Sequence, residues 1–366
     1  MMRGFPMRAG LDSAMAALLL AGLTGVAEAR KGPKTPEAPK PPPLTAEAIN
    51  GASVPDSGTG KPGETAQKPR KATRPDPLLV KVQVLLDRAR FSPGAIDGKD
   101  GDNMRRALKA YAQAQGLPDA DGPTPEILAK LQADTAPAVT EYTVTEDDTK
   151  TDFVTRIPAK MEDQAELDDL GYTNAREMLA ERFHMSRDLL SALNPAKPFD
   201  KAGTVLLVAA VTPMGSGRPN PKDLPEAPKV ERIEIDKGSR DLRAFDGSGK
   251  LFAFYPASIG SAEKPAPSGE TKVTRVAFDP TYTYNPKYAF KGVKAREKFT
   301  IKPGPNNPVG AVWIDLAIDS YGIHGTPEPE KVGKTESHGC IRLTNWSARE
   351  LGRHVVKGAR VTFKDG

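Results

Sequence analysis

The sequence predicts a multidomain α + β chain: a small three-helix N-terminal domain, a small α/β module, and a mostly β C-terminal domain. Three observations carry this reading. The 366 residues exceed one average domain. Proline-rich stretches at 30–75 and 213–228 break the chain into segments. The apolar pattern changes from helical spacing before residue 135 to short β-branched runs after residue 229.

The first 29 residues read as a signal peptide. Arg3 and Arg8 form a positive n-region, Ala14 to Val26 is almost wholly apolar, and Ala27-Glu28-Ala29 fits a small-residue cleavage site. An uncut membrane anchor is the alternative, but the 13-residue run falls short of the roughly 20 that span a bilayer. The chain is therefore expected in the periplasm. Its single cysteine cannot form an internal disulfide, so in an oxidising compartment the thiol is either buried and inert or kept for its chemistry.

Residues 30–75 hold ten prolines, with nine Lys/Arg against four Asp/Glu, and are expected to be a disordered linker. This segment accounts for the whole formal charge of +5, because the two signs balance over 76–366. The basic excess belongs to a tail, and no nucleic-acid partner is expected.

Three short helices are expected over 76–134, carried by Leu79, Val82, Leu85 and Leu86, then Met104, Ala107, Leu108 and Tyr111, then Ile127, Leu128 and Leu131. Phe91 to Gly98 and Asp121 to Pro125 supply the turns. The Val-Gln-Val-Leu-Leu start, the Ile-Asp-Gly turn and the Ala-Leu-Lys-Ala-Tyr helix make this segment resemble the small peptidoglycan-binding domain. Arg90 stands where that domain usually has glycine.

Over 141–212, Tyr142-Thr143-Val144 and Thr204 to Val208 read as strands around a helical stretch from Ala175 to Leu190 closed by Leu193-Asn194-Pro195. This is similar to a LysM module, with a longer connection after the first strand than that module usually has. Residues 229–366 then show strands at 230–235, 251–255, 272–278, 312–318 and 360–363, with one helix at 348–356, enough for an independent β-rich domain.

The chemistry-bearing segment runs Tyr321-Gly322-Ile323-His324-Gly325-Thr326, and eleven residues later Ser337-His338-Gly339-Cys340-Ile341-Arg342-Leu343. A free thiol is mostly protonated near neutrality, so a nucleophilic cysteine needs a base or a cation beside it. His324 is that base if a strand end places its ring against the sulfur, with its other ring nitrogen held by a backbone carbonyl. Gly339 lets the chain turn sharply and lets a substrate carbonyl approach, so that N–H groups near Gly339 and Cys340 can face a developing oxyanion. Arg342 suits bidentate capture of a carboxylate.

Each residue also has a plainer reading: Cys340 as a small core hydrophobe, His338 as a satisfied loop histidine, Arg342 as a surface ion pair. A zinc site of His324, His338 and Cys340 would need a fourth ligand or water, and neither a second cysteine nor a His-x-x-x-His spacing is present. No metal is expected.

Ile-His-Gly-Thr followed by Ser-His-Gly-Cys-Ile-Arg-Leu resembles the signature of the L,D-transpeptidase catalytic domain, over residues 229–364. Pro256 to Gly260, Asn307 to Gly310 and the closing Gly-Ala-Arg-Val-Thr-Phe extend the likeness, while Pro267-Ser268-Gly269 departs from the family's usual Thr-Pro-x-Gly. The resemblance implies Cys340 as nucleophile, His324 as base and the Gly325 carbonyl as the group that orients it. Ser337, His338, Gly339 and Arg342 are then implied on the oxyanion and substrate side.

It further implies cofactor-free attack on a tetrapeptide stem of peptidoglycan, release of D-alanine, and transfer of the thioester to an acceptor amine. The acceptor is a second stem, giving a 3→3 crosslink, or an outer-membrane lipoprotein or other protein. Two alternatives are an L,D-carboxypeptidase or crosslink hydrolase on the same fold, and a silent wall-binding protein.

Overall fold

The computed structural model describes residues 44–54, 74–224, 226, 228–288, 293, 295–337 and 339–365. The expected signal peptide and most of the expected linker lie outside them. Within the linker range, however, residues 44–54 are ordered. This stretch lacks proline and carries Leu44, Ala46, Ile49 and Val54, so it has apolar surface to bury. Thr45 caps helix α1 (Ala46–Asn50) by accepting from the Ala48 amide, and Ile49 is fully buried. Lys81 donates to the Asn50 and Ala52 carbonyls at 2.7 and 2.8 Å.

Helices α2 (Pro77–Arg88), α3 (Asp102–Ala114) and α4 (Pro125–Leu131) occupy the expected three-helix range. Asp76 caps α2 and Pro77 opens it. Apolar residues on more than one face of a helix need cover on more than one side. Val82, Leu85 and Leu86 accordingly pack with α3 and α4, while Val80 and Val84 join the next module's core.

That module runs β1 (Val139–Thr143), α5 (Glu146–Thr149), α6 (Met161–Gln164), α7 (Ala175–Arg182), α8 (Arg187–Leu193) and β2 (Val205–Ala209). Its strands pair antiparallel, with Tyr142 opposite Leu206. The helical stretch splits at His184, whose φ of 59° breaks the helix, and Asn174 and Ser186 cap the two halves.

The C-terminal domain continues with β3 (Val230–Asp236), β4 (Asp241–Asp246), β5 (Leu251–Pro256), β6 (Ser258–Ile259) and β7 (Gly269–Phe278). After these come β8 (Tyr282–Tyr284), β9 (Phe299–Ile301), β10 (Val312–Leu316), β11 (Gly322–His324), β12 (Ile341–Arg342), α9 (Asn345–His354) and β13 (Val355–Lys364). Nine strands form one sheet in the order β5-β4-β3-β13-β7-β10-β11-β12-β6, and β8 and β9 form a separate pair. Val230, Ile233, Val312, Ile314, Ile323, Ile341 and Val361 build its core. Helix α9 starts three residues earlier than expected. It ends at His354 because Val355 turns to extended backbone opposite Val230, where a β-branched residue packs well.

The modules are less independent than the sequence suggests. Phe254 of β5 is fully buried among the apolar side chains of α2, α3 and α4. Its backbone pairs with the three-helix domain: Ser92 N donates to Phe254 O, and Phe254 N to Arg90 O, both at 2.9 Å. The residue that replaces the usual glycine, Arg90, has φ 65°, and its carbonyl makes this junction.

Candidate active site

Two very short strands bring the chemical groups together. β11 and β12 run parallel, with Ile323 opposite Ile341 and His324 opposite Arg342. Side chains alternate along a strand, so Cys340, two residues before Arg342, projects to the same face as Arg342 and His324. Cys340, His324 and Arg342 line one cleft of about 1730 Å³.

His324 is buried and stacks on Trp313, with ring centroids 5.6 Å apart and planes 19° from parallel. Its Nδ1 lies 2.6 Å from the Gly325 carbonyl. A carbonyl only accepts, so Nδ1 carries the hydrogen and Nε2 is left as the basic face. Burial, then the neighbouring Arg342 cation, pushes its pKa down to about 3, against the pull of the Gly325 carbonyl. The ring is neutral at physiological pH.

Cys340 is half-buried. Burial pushes its thiol up, opposed by the Gly322 backbone and by the Arg342 and Lys264 cations. Its sulfur donates to the Ser320 carbonyl at 4.0 Å and not to the imidazole. The sulfur is thus not hydrogen-bonded to the ring as the sequence led us to expect. Catalytic hydrogen bonds often tighten only when substrate binds.

The loop before Cys340 is held from several sides. Ser337 Oγ donates to the Cys340 carbonyl at 2.5 Å and accepts from Gly339 N at 3.2 Å, while Tyr321 Oη donates to the Gly339 carbonyl at 2.7 Å. Gly339 has φ 123°, which favours glycine. The Gly339 N–H, expected as an oxyanion donor, is therefore engaged by Ser337. Arg342 is half-buried, and among the described residues its buried Nε has no hydrogen-bond partner. His338 lies outside the described residues.

Sequence reasoning missed one wall of the cleft. Thr155, Arg156, Ile157, Lys160, Met161 and Gln164, from the connection between β1 and α7, line it together with Cys340, His324 and Arg342. The one signal was that connection's unusual length. It is fastened to the C-terminal domain, with Ala295 N donating to Glu162 Oε1 at 3.2 Å and Leu170 N to the Pro303 carbonyl at 2.9 Å. A neutral imidazole with a bare nitrogen, a thiol and a half-buried guanidinium together suit acyl transfer through sulfur.

Comparison with known proteins agrees with that chemistry. Residues 230–362 match the model of the L,D-transpeptidase catalytic domain, and residues 75–131 match that of a peptidoglycan binding domain. YqjB of Bacillus subtilis, assigned as an L,D-transpeptidase, is 32% identical over 165 residues, covering 44% of this chain and 81% of that protein. YkuD of Bacillus licheniformis, with the same assignment, is 28% identical over 189 residues, covering 51% of this chain and 92% of that protein. Among solved structures, an L,D-transpeptidase from Xylanimonas cellulosilytica aligns with 14% identity and a TM-score of 0.35, over 81% of this chain and 98% of that one. L,D-transpeptidase 3 from Mycobacterium tuberculosis aligns with 17% identity and a TM-score of 0.32, over 38% of this chain and 62% of that one.

Proposed function

We infer the reaction from the fact that this chain belongs to the L,D-transpeptidase family, enzymes of peptidoglycan, and propose that it crosslinks stem peptides through a Cys340 thioester. His324 Nε2 takes the thiol proton as sulfur attacks the carbonyl of the L-centre residue in a tetrapeptide stem. The C–N bond to D-alanine breaks, and the departing amine receives that proton. An acceptor amine then attacks the thioester carbonyl, its proton passes to His324, and the thiolate leaves. With Gly339 N–H engaged, the oxyanion falls to the Cys340 N–H. Arg342 takes a stem carboxylate, since among the described residues its buried Nε lacks a partner.

The observation that carries this reading is the β11–β12 pairing, which sets the imidazole, the thiol and the guanidinium on one face of one cleft. Transfer to a second stem, rather than to water, is favoured by the cleft itself. Its volume of about 1730 Å³ exceeds the roughly 300–1,000 Å³ of a one-ligand pocket. Among the described residues seven Lys/Arg against three Asp/Glu line it, which suits carboxylate-rich stems. Purified protein incubated with tetrapeptide-containing sacculi is expected to yield 3→3 dimers on muropeptide mass spectrometry. Tripeptides without dimers would point to hydrolysis, and unchanged muropeptides to a silent wall-binding protein. Modification of an outer-membrane lipoprotein would redirect the acceptor.

Residues 75–131, and the LysM-like strand–helix–helix–strand unit beside them, would hold the enzyme on its polymer and raise the local stem concentration. Such a substrate lies outside the cytoplasm, so the apolar N-terminus is read as an export signal. Among the described residues no helix is long and apolar enough to cross a membrane. N-terminal sequencing of periplasmic protein is expected to begin at Arg30, and retention of residues 1–29 would mean an anchored enzyme.

A further inference from the structure

The Gly325–Thr326 peptide that orients the catalytic imidazole is gripped at its far end by a side chain, and that side chain is gripped in turn from another module. Gly325 O accepts from His324 Nδ1 at 2.6 Å. The N–H of the same peptide unit, on Thr326, donates to Asn345 Oδ1 at 3.0 Å, and that oxygen also accepts from Ala311 N at 2.9 Å. Two backbone donors fix which end of the Asn345 amide is oxygen. Its Nδ2 therefore points away, donating to the Pro305 carbonyl at 3.1 Å and to Glu181 Oε1 at 2.6 Å. All four hydrogen-bonding positions of the amide are used, and the residue is fully buried. Gly310 and Gly325 make room for it, because a Cβ on either would collide with Asn345 Oδ1.

Glu181 sits on α7, in the module at 139–209, and is itself buried. We propose that Glu181 is a positioning residue for His324: through Asn345 and the Gly325–Thr326 peptide, the non-catalytic module sets the orientation and tautomer of the catalytic imidazole. The chain of hydrogen bonds runs Glu181, Asn345, peptide, imidazole, and each bond polarises the next. Burial raises the Glu181 carboxyl to about 8, with Glu177 adding to the effect and Asn345, Arg187 and Arg349 opposing it. Its neutral form dominates at pH 7, so a glutamine reproduces both its shape and its acceptor. The inference rests on His324 being the base.

The test uses the full chain with Glu181→Gln, Glu181→Met and Glu181→Ala. Three quantities are read: the rate of Cys340 acylation by a carbapenem, the tautomer of His324 by NMR of 15N-histidine protein, and the melting temperature. The wild type is expected to show a single Nδ1–H tautomer at His324. Glu181→Gln should keep that tautomer and the wild-type rate. Glu181→Met fills the space but offers only a weak thioether acceptor in place of the carboxyl oxygen, so it should mix tautomers and slow acylation roughly 10- to 100-fold, the order of a displacement of about 1 Å at the reacting groups. Glu181→Ala, where water can enter, stands in if the methionine variant does not fold.

A methionine or alanine variant that melts earlier yet keeps wild-type tautomer and rate would overturn the proposal. So would a wild-type His324 that carries its hydrogen on Nε2. Failure of the underlying reading looks different, because the wild type itself would then not be acylated at Cys340.

Discussion

Cys340→Ala is expected to remove acyl transfer completely while leaving the fold and wall binding in place. Cys340 is half-buried, touches the domain core only at its margin, and reaches the Ser320 carbonyl only at 4.0 Å, so loss of its sulfur removes little packing. It is also the chain's only thiol, and no second cysteine can substitute. A carbapenem gives the direct readout. Thiolate attack on the strained lactam carbonyl opens the C–N bond, the nitrogen takes a proton, and nothing leaves. Intact mass should therefore rise by one drug mass in the wild type, mapped to Cys340 by peptide analysis, and by none in the variant. Undiminished crosslinking by Cys340→Ala, or an unfolded variant by circular dichroism, would show that the cysteine is core and not nucleophile.

The second large effect belongs to His324. His324→Ala keeps the thiol but removes the group that takes its proton, a loss worth about 10²–10⁴-fold. The pH dependence has a definite sign. Burial holds the Cys340 thiol above its ordinary value, so at neutral pH the variant contains little thiolate. Below that pKa each unit of pH multiplies the thiolate by ten, and the acylation rate of the variant should climb steadily with pH. The wild type should be flatter there, because its imidazole, with a pKa of about 3, is already neutral and ready to accept. Carbapenem acylation followed by stopped-flow from pH 6 to 10 checks this. A variant rate that is flat with pH would mean that His324 does not serve thiol ionisation.

The reactive residues were legible because they are close in sequence: 17 positions span His324 to Cys340. Their geometry was not. β11 and β12 have three and two residues, too few for any periodicity, and their pairing is set by the sheet around them. Glu181 falls inside the expected helical stretch with nothing near it in sequence to mark it, because its partner Asn345 lies 164 residues away. Asn345 itself directly follows the Ile-Arg-Leu-Thr run, yet its role depends on two glycines elsewhere leaving space for an amide. Residues 44–54 illustrate the opposite error. A charge and proline count over the whole of 30–75 averaged away a short apolar stretch that the neighbouring cores can bury.

The junction at Phe254 also bears on self-association. β5 is the outermost strand of the nine-stranded sheet, and its free side would present unpaired amides and carbonyls to any other extended chain. Residues 90–92 occupy part of that side, and the three helices enclose the Phe254 ring. At the opposite border the sheet ends in β6, two residues long and a poor template for pairing. The wall-binding domain thus doubles as a guard on the catalytic sheet. A catalytic domain cut free at residue 229 would carry an open β edge with a bare phenylalanine, the ingredients of self-association, whatever the state of its active centre.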